Sequence, residues 1–199
     1  MTHLGLISAL KVQNVTDDLL CQSRHLHISS YFLQAALQPD LPDLLAHAHS
    51  LGLTTSLDTN WDPSGKWYGF DELLQQVDVF LPNENEALAL TGAASVESAA
   101  TQLCQKCGTV ALKLGALGAL AVQRDGIART PALPVRVVDT VGAGDTFDAG
   151  FVYGFLQGWS LEKSLQLGVA CGSLSTQSAG GTFGQPTLEH AMKYVSSSG

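Results

Sequence analysis

The sequence predicts an α/β fold, in which a largely parallel central sheet is covered by helices on both faces. Short β-like runs alternate with helical stretches along the chain, and this alternation is typical of parallel strands joined by crossover helices. Of the 199 residues, 45% are hydrophobic, which is enough for one sizeable core. No repeat, low-complexity tract or linker interrupts the pattern, so we expect one domain over residues 1–199.

The first half of the chain is predicted to contain three strands and four helices. The strands are expected at 25–30, 54–59 and 79–82. The helices are expected at 41–52, 70–77, 83–92 and 95–108. Each of the last two helices ends at a glycine, Gly92 or Gly108, and glycine is a common helix terminator.

The second half begins with strands at 109–115 and 119–126, where Asp125-Gly126 indicates a hairpin turn. The chain is predicted to stay extended through 135–141, although Pro131 and Pro134 interrupt it. The last helices are expected to start near Asp145 and to cover 160–178 and 186–195. The richest motifs follow strands 79–82, 109–115 and 135–141. Ligands of open α/β sheets bind at such strand ends, so these motifs are the first indication of function.

Charge and composition exclude several classes of partner. The net charge is −8 with only 10 Lys and Arg residues, so the chain lacks the basic surface that nucleic acid or an anionic membrane requires. No stretch approaches the roughly 20 apolar residues of a membrane span. The start, "MTHLGLISALKV", does not resemble a signal peptide, and the CxxC of Cys104 and Cys107 lacks a second ligand pair. We therefore expect reduced thiols and a cytoplasmic location.

The stretch "DTVGAGDTFDAGF" at 139–151 predicts an anion hole followed by an acid. The small residues Gly142, Ala143 and Gly144 let backbone N–H groups converge at a helix start, where a phosphoryl group in transfer would be stabilised. Asp145 could then accept the proton of an attacking hydroxyl. Alternatively, Asp145 only favours the helix N-terminus, and spacing alone does not separate the two interpretations. Asp148 lies one turn later and could also reach the mouth of this site, but a solvated acid of the first turn is favoured.

Two common nucleotide motifs do not fit this stretch. The chain contains no GxxxxGK[ST] sequence. In "GAGDTF", Phe147 stands where a dinucleotide fingerprint needs its third glycine.

The pattern D-T-x-G-A-G-D-T-F resembles the C-terminal signature of the PfkB family of carbohydrate kinases, which have a ribokinase-like fold. The resemblance extends over nearly the whole chain in the expected order. It implies ATP and Mg²⁺ as cofactors and a sugar as the small-molecule substrate. It also implies that Asp145 is the general base and that the amides from Gly142 to Asp145 form the anion hole.

Three further segments resemble family motifs around the nucleotide and metals. "PNENEALALTG" resembles the N-x-x-E segment, which implies that Asn83 and Glu86 lie near the water shell of Mg²⁺. From the residues alone, the same pair is a capping box. "LKLGALGAL" resembles the nucleotide loop, with glycines at Gly115 and Gly118. There Lys113 is either a phosphate contact or an ordinary strand lysine.

The segment "SAGGTFGQP" at 178–186 resembles the loop that closes over adenine, and it contains Gly180 and Gly181. By the same resemblance, Asp139 and the Val141 carbonyl would be ligands of K⁺.

The acceptor side is less well defined. "SLDTNWDPSGKW" at 56–67 resembles the strand that leads to the family's D-x-N, which makes Asp58, Asn60 and Lys66 candidate sugar contacts; a plain polar loop is the alternative. The pairs His25/His27 and His47/His49 have HxH spacing, but no third metal ligand is evident, so a structural role is favoured.

Family members begin with an N-terminal segment that carries most sugar contacts and a lid that often dimerises. This sequence resembles the C-terminal two-thirds of such a kinase, so we expect a homodimer only in a full-length form and poor activity in the isolated chain. Three hypotheses follow: an ATP-dependent sugar kinase, a non-catalytic nucleotide-binding or interaction fragment, and a nucleoside kinase.

Overall fold

A computed structural model describes residues 5–62, 64–67 and 70–196 of the chain. Within these ranges a six-stranded sheet has its strands in chain order. The strands are β1 (His25–Ile28), β2 (Thr54–Leu57), β3 (Val79–Phe80), β4 (Thr109–Lys113), β5 (Ala119–Gln123) and β6 (Gly126–Thr130). The first four run parallel, whereas β5 and β6 are antiparallel to their neighbours. The sheet is therefore mostly parallel, as the sequence predicted.

Helices cover both faces of this sheet. They are α1 (Asp17–Leu20), α2 (Leu41–Ser50), α3 (Phe70–Leu74), α4 (Glu84–Thr91), α5 (Val96–Cys104), α6 (Ala143–Leu156), α7 (Leu161–Ser175) and α8 (Leu188–Met192). None of the helices in the described ranges is long and apolar enough to cross a bilayer.

The two faces of β4 show how the layers are separated. Successive side chains of a strand point to opposite faces. Val110 and Leu112 belong to the core beneath α2–α5, whereas Ala111 belongs to the core beneath α6 and α7, with Phe147 and Phe151. All five residues are buried. The result is the predicted three-layer αβα fold.

Helices α6 and α7 approach closely because glycines line their contact. A Cβ built on Gly150 would lie 2.9 Å from the Leu167 carbonyl oxygen and 2.9 Å from Cys171 Sγ. A Cβ on Gly154 would lie 2.8 Å from Ser164 Cα. These separations are too short for a real side chain, so the small residues set the distance between the helices and thereby the position of the α6 N-terminus.

One predicted strand and the end of one predicted helix are wrong. The segment 135–141 is not a strand: Val137 and Val138 are 58% and 57% exposed, and the N–H groups of Val138 and Asp139 donate to the Thr176 carbonyl. The physical reason is that Pro131 and Pro134 lack the N–H that a strand ladder needs, so β6 ends at Thr130.

Helix α5 ends at Cys104, four residues before Gly108, so Gly108 does not terminate it. Gly108 instead serves close packing, because its Cβ would lie 2.9 Å from the Asp78 carbonyl oxygen.

The histidine pairs have structural partners. His25 and His27 both contact Ser56 Oγ at 2.7 Å, and the rings of His25 and Phe155 are 6.4 Å apart. His47 pairs with Asp17, and His49 pairs with Asp78. No histidine belongs to a potential metal cluster of three or more ligands in the part of the chain that the structure describes.

We expect Gly150→Val to destabilise the fold. The added side chain would have to push α6 and α7 apart, and overpacking of this kind costs about 1–3 kcal/mol. The matched control is Ala149→Val, because Ala149 is the next residue of the same helix and is exposed. Denaturant unfolding would measure both variants, and equal losses of unfolding free energy would contradict the close-packing role.

A second prediction concerns His25, whose pKa burial lowers to about 4, with His27 adding to the effect and Asp78 opposing it. As pH falls from 6.5 towards 4, the unfolded chain takes up a proton that folded His25 does not, so stability is lost in that window. His25→Gln should flatten this part of the stability curve. The same substitution at the exposed His190 is the control, and identical curves for both variants would refute the assignment.

Candidate active site

The start of helix α6 is shaped by Gly142. This residue has a φ of 75° and precedes the first helical residue, Ala143. Its Cβ would lie 2.6 Å from the Gly181 carbonyl oxygen, so both the backbone angle and the available space require glycine. The helix therefore begins two residues earlier than the sequence predicted for Asp145.

Asp139 ties this turn to the segment that contains Gly180. Its Oδ1 accepts the Val141 N–H at 3.0 Å, and its Oδ2 accepts the Gly180 N–H at 2.9 Å. The hydrogen bond from Gly180 and, to a smaller extent, the one from Val141 hold the pKa of the Asp139 carboxyl below its ordinary value. The predicted loops at 139–144 and 178–186 are thus adjacent in space.

Three N–H groups at this turn have no protein acceptor among the described residues. Within the described ranges, the N–H groups of Gly142, Gly144 and Asp145 donate to no protein atom. The N–H of Ala143 is used by the Thr140 carbonyl, and the Gly142 carbonyl is used by Thr146. Free N–H groups at a helix start, reinforced by the helix dipole, can bind an anion.

Three carboxylates lie beside this turn. The carboxylates of Asp58, Asp145 and Asp148 each place an oxygen within 4.8 Å of the others. Asp145 is exposed, whereas the Asp148 side chain is only 3% exposed. Asp148 is therefore not the solvated acid that the sequence suggested. It lies with Phe147 and Phe151 on the buried side of α6, and those two apolar neighbours were the available signal.

Lys113 connects two of these carboxylates. Its Nζ lies 3.0 Å from Asp58 Oδ1, and 3.0 and 3.1 Å from the two oxygens of Asp148. The side chain is only 15% exposed. The sequence left open a phosphate contact or an ordinary strand lysine, and the structure shows a lysine at the end of β4 in a buried ion pair. Contact with phosphate remains a prediction.

The electrostatics of this cluster follow from one cation being shared among several acids. Burial disfavours the charged form of Lys113, but Asp148 and Asp58 outweigh it and raise its pKa. Burial raises the pKa of Asp148 to about 7; Lys113 opposes the rise, and Asp58 and Asp145 reinforce it. A single ammonium cannot neutralise three carboxylates, and Asp148, the most buried of the three, has the raised pKa.

Asn83 and Glu86 form the predicted capping box of α4. Asn83 Oδ1 accepts the Glu86 N–H at 3.0 Å, and Glu86 Oε2 accepts the Asn83 N–H at 2.9 Å. Thr59 Oγ1 also donates to Glu86 Oε2, at 3.0 Å. Burial raises the pKa of Glu86, which is 3% exposed. A β-bridge between Asn83 and Lys113 places this carboxylate beside the cluster described above.

The acceptor-side candidates differ in how firmly they are held. Asp58 is buried at the end of β2, whereas Asn60 and Lys66 are exposed, and Asn60 has a φ of 56°. The loop is held by Asp62, a residue that the sequence analysis missed. Its carboxylate accepts the N–H groups of Ser64, Lys66 and Trp67 and the hydroxyl of Ser64.

A cleft of about 510 Å³ opens from the α6 start. Lys113, Gly115 and Gly118, which the sequence assigned to a nucleotide loop, line this cleft together with Gly144 of the predicted anion hole. The sequence did not predict its apolar wall, which consists of Ala132, Leu133, Pro134, Val135 and Val137, nor the α7 face with Gly172, Ser173 and Thr176. The signal for that wall in the sequence was the apolar segment that contains Pro131 and Pro134.

A larger concavity, of about 720 Å³, lies between α5 and the β5–β6 hairpin. Cys104 and Cys107 line it, and burial raises the pKa of both thiols. Protonated thiols are weak nucleophiles and metal ligands. None of the motif residues around Asp145 lines this concavity, so the smaller cleft is the candidate active site.

Comparison with known proteins gives consistent results. Residues 1–188 match the sequence model of the pfkB family carbohydrate kinases. The chain is 34% identical over 185 residues to a 2-dehydro-3-deoxygluconokinase of Bacillus subtilis, a match that covers 86% of this chain and 56% of that protein. It is 33% identical over 132 residues to a ribokinase of Haemophilus influenzae, with 63% and 43% covered.

Solved structures show the same architecture. An adenosine kinase from Sinorhizobium meliloti superposes with a TM-score of 0.81 and 28% identity over 94% of this chain and 58% of the other. An Arabidopsis thaliana ribokinase complexed with ribose and ATP superposes with a TM-score of 0.75 and 25% identity, over 90% and 59%. The chain spans less than two-thirds of the length of each of these proteins. The family match, the relatives and the shared fold together show that this chain belongs to the pfkB family of carbohydrate kinases.

Proposed function

We propose that this chain carries the nucleotide site and the general base of an ATP-dependent sugar kinase. The observation that carries the proposal is the α6 N-terminus, where the free N–H groups of Gly142, Gly144 and Asp145 lie beside the exposed carboxylate of Asp145. An anion site next to a base suits transfer of a phosphoryl group to a hydroxyl.

The proposed chemistry is a single displacement. Asp145 takes the proton of the acceptor hydroxyl while the oxygen of that hydroxyl bonds to the γ-phosphorus of ATP. The bond between that phosphorus and the β,γ-bridging oxygen breaks, and ADP leaves with the electron pair. The N–H groups of the α6 start would stabilise the negative charge on the transferred group, because no protein atom occupies them.

Mg²⁺ would be held through water by Asn83 and Glu86. A carboxylate and an amide oxygen suit hydrated Mg²⁺, and the bound ion would neutralise phosphate charge. Both side chains are held rigidly, since the capping box and Thr59 fix Glu86 Oε2. Asp139 and the Val141 carbonyl remain predicted ligands for K⁺. Each Asp139 oxygen accepts a backbone N–H in this structure.

ATP would occupy the 510 Å³ cleft, with its phosphates at Gly142–Asp145. The apolar wall from Ala132 to Val137 suits a planar base, and Gly115 lets the backbone approach it closely. Gly118 lines the same cleft, but there the protein itself requires glycine, because a Cβ would lie 2.0 Å from the Thr130 carbonyl oxygen. Gly180 and Gly181 border the phosphate end, since Gly181 packs against Gly142. The related ribokinase complexed with ribose and ATP supports this proposal.

The acceptor is proposed to be a sugar that contacts Asp58 and Asn60, with Lys66 as a further candidate. The family match and the two relatives described above favour a sugar. The structural similarity to an adenosine kinase keeps a nucleoside as the second candidate. A non-catalytic nucleotide-binding role is the alternative from another class. Cytoplasmic location and a homodimer of a longer form remain predictions.

Two variants test the nucleotide site and the base separately. We expect Asp145→Asn to bind Mg·ATP with unchanged affinity but to lower phosphoryl transfer by about 10²–10⁴-fold, because it removes only the base. Gly144→Val places a side chain in the cleft beside the anion site, with its Cβ 3.7 Å from Lys113 Nζ, so Mg·ATP affinity should fall by about tenfold or more. Calorimetric titration measures binding, and ADP release with ribose, fructose, 2-dehydro-3-deoxygluconate or adenosine measures transfer.

The matched controls are Asp125→Asn and Gly126→Val in the β5–β6 hairpin, where a Cβ on Gly126 meets nothing within 4 Å. Both should behave like the unmodified chain. A folded chain that binds no Mg·ATP would contradict the proposed function. Tight binding without transfer to any acceptor would favour the non-catalytic alternative.

A further inference from the structure

The buried ion pair of Lys113 has no role in the chemistry described so far. The lysine lies at the end of β4, Asp58 lies at the end of β2, and Asp148 lies on α6. Asp58 and Asp148 are 55 and 35 residues away from Lys113 in the chain. One ammonium therefore joins the proposed acceptor side to the helix that carries both the anion site and the base.

The ammonium is also directly beneath the anion site. A Cβ built on Gly144 would lie 3.7 Å from Lys113 Nζ, so little space separates them. The three contacts with carboxylate oxygens match the three N–H donors of an ammonium. When each contact uses its own N–H, the ammonium has no donor left over for a phosphate oxygen.

The charges around Asp145 show what the lysine counteracts. The groups that face this cluster are His27 on β1, Asp58 after β2, Glu86 on α4, Lys113 on β4, and Asp145 and Asp148 on α6. Without Lys113, two further carboxylates would lie within 4.8 Å of Asp145, and none of the described residues would supply a buried cation to balance them. At such a separation, like charges that are shielded from water repel one another strongly.

We propose that Lys113 is a positioning residue that holds Asp58 and Asp148 together behind Asp145. This tie, the ion pair of Lys113 with Asp58 and Asp148, fixes the acceptor-side end of β2 against α6 and balances the charge of the two buried acids. This role rests on the proposed function, since it matters for catalysis only if Asp145 is the base. It differs from a phosphate ligand, because Lys113 would act on the acids and not on ATP.

The first test is a double-mutant cycle on stability. Lys113→Met keeps the length of the side chain but leaves two acids without their cation, so the unfolding midpoint should fall by roughly 10 °C. Adding Asp148→Asn removes one of those charges and should recover at least half of the loss. Lys106→Met is the matched control, because Lys106 pairs with the exposed Asp71 on the surface. If the two substitutions changed the unfolding midpoint additively, Lys113 and Asp148 would not be coupled, and the proposal would be overturned.

The second test asks whether Lys113 acts through its ion pair with the two acids or by contacting a phosphate of ATP. Mg·ATP titrated into Lys113→Met should bind with an affinity within about threefold of the unmodified chain. A tenfold or greater loss of affinity, with an unchanged unfolding midpoint, would overturn the proposal and make Lys113 a phosphate ligand. If the unmodified chain itself binds no Mg·ATP, the proposed function fails, while the stability cycle still shows whether the tie exists.

The third test addresses positioning. With the best acceptor of the unmodified chain, Lys113→Met should lower kcat by about 10²-fold, leave KM for ATP unchanged and move the acid limb of the pH–rate profile to higher pH. The double variant with Asp148→Asn should move the limb back. A purely structural lysine would lower the amount of folded protein without shifting the profile, and that result would overturn the positioning role.

Discussion

The ion pair of Lys113 with Asp58 and Asp148 is the interaction on which the geometry of this site depends. Buried carboxylates are tolerated only when a cation or hydrogen bonds compensate for lost hydration. Here a single ammonium, 3.0 Å from an oxygen of each acid, does so for two chain segments. Because the pair is buried, its geometry is tightly constrained, and the ends of β2 and β4 are held against α6.

Close backbone packing gives a second constraint on the same helix. Glycines at the α6–α7 contact and at the α6 start allow approaches that no Cβ would permit. The N-terminus of α6 is therefore fixed from both sides: by α7 through Gly150 and Gly154, and by the Gly181 backbone through Gly142. A rigid helix start is what an anion site needs, because its N–H groups then require no rearrangement when charge develops.

The capping box shows that two interpretations of one motif need not compete. Asn83 and Glu86 cap α4, and a β-bridge places the same turn beside Lys113 and the cleft. The cap holds the Glu86 carboxylate in one orientation, and Thr59, two residues after β2, donates a further hydrogen bond to it. A structural cap can thus be the device that orients a candidate metal-binding group.

The sequence by itself determined what depends on a few neighbouring residues. The α/β alternation, the cap at Asn83 and the glycine-dependent turn before Asp145 follow from local hydrogen bonds, periodicity and allowed φ angles. The sequence could not assign the burial of Asp148, the partners of Lys113 or the departure of 135–141 from the sheet. Loss of hydration and charge pairing depend on groups up to 55 residues apart, and only the tertiary structure brings those groups together.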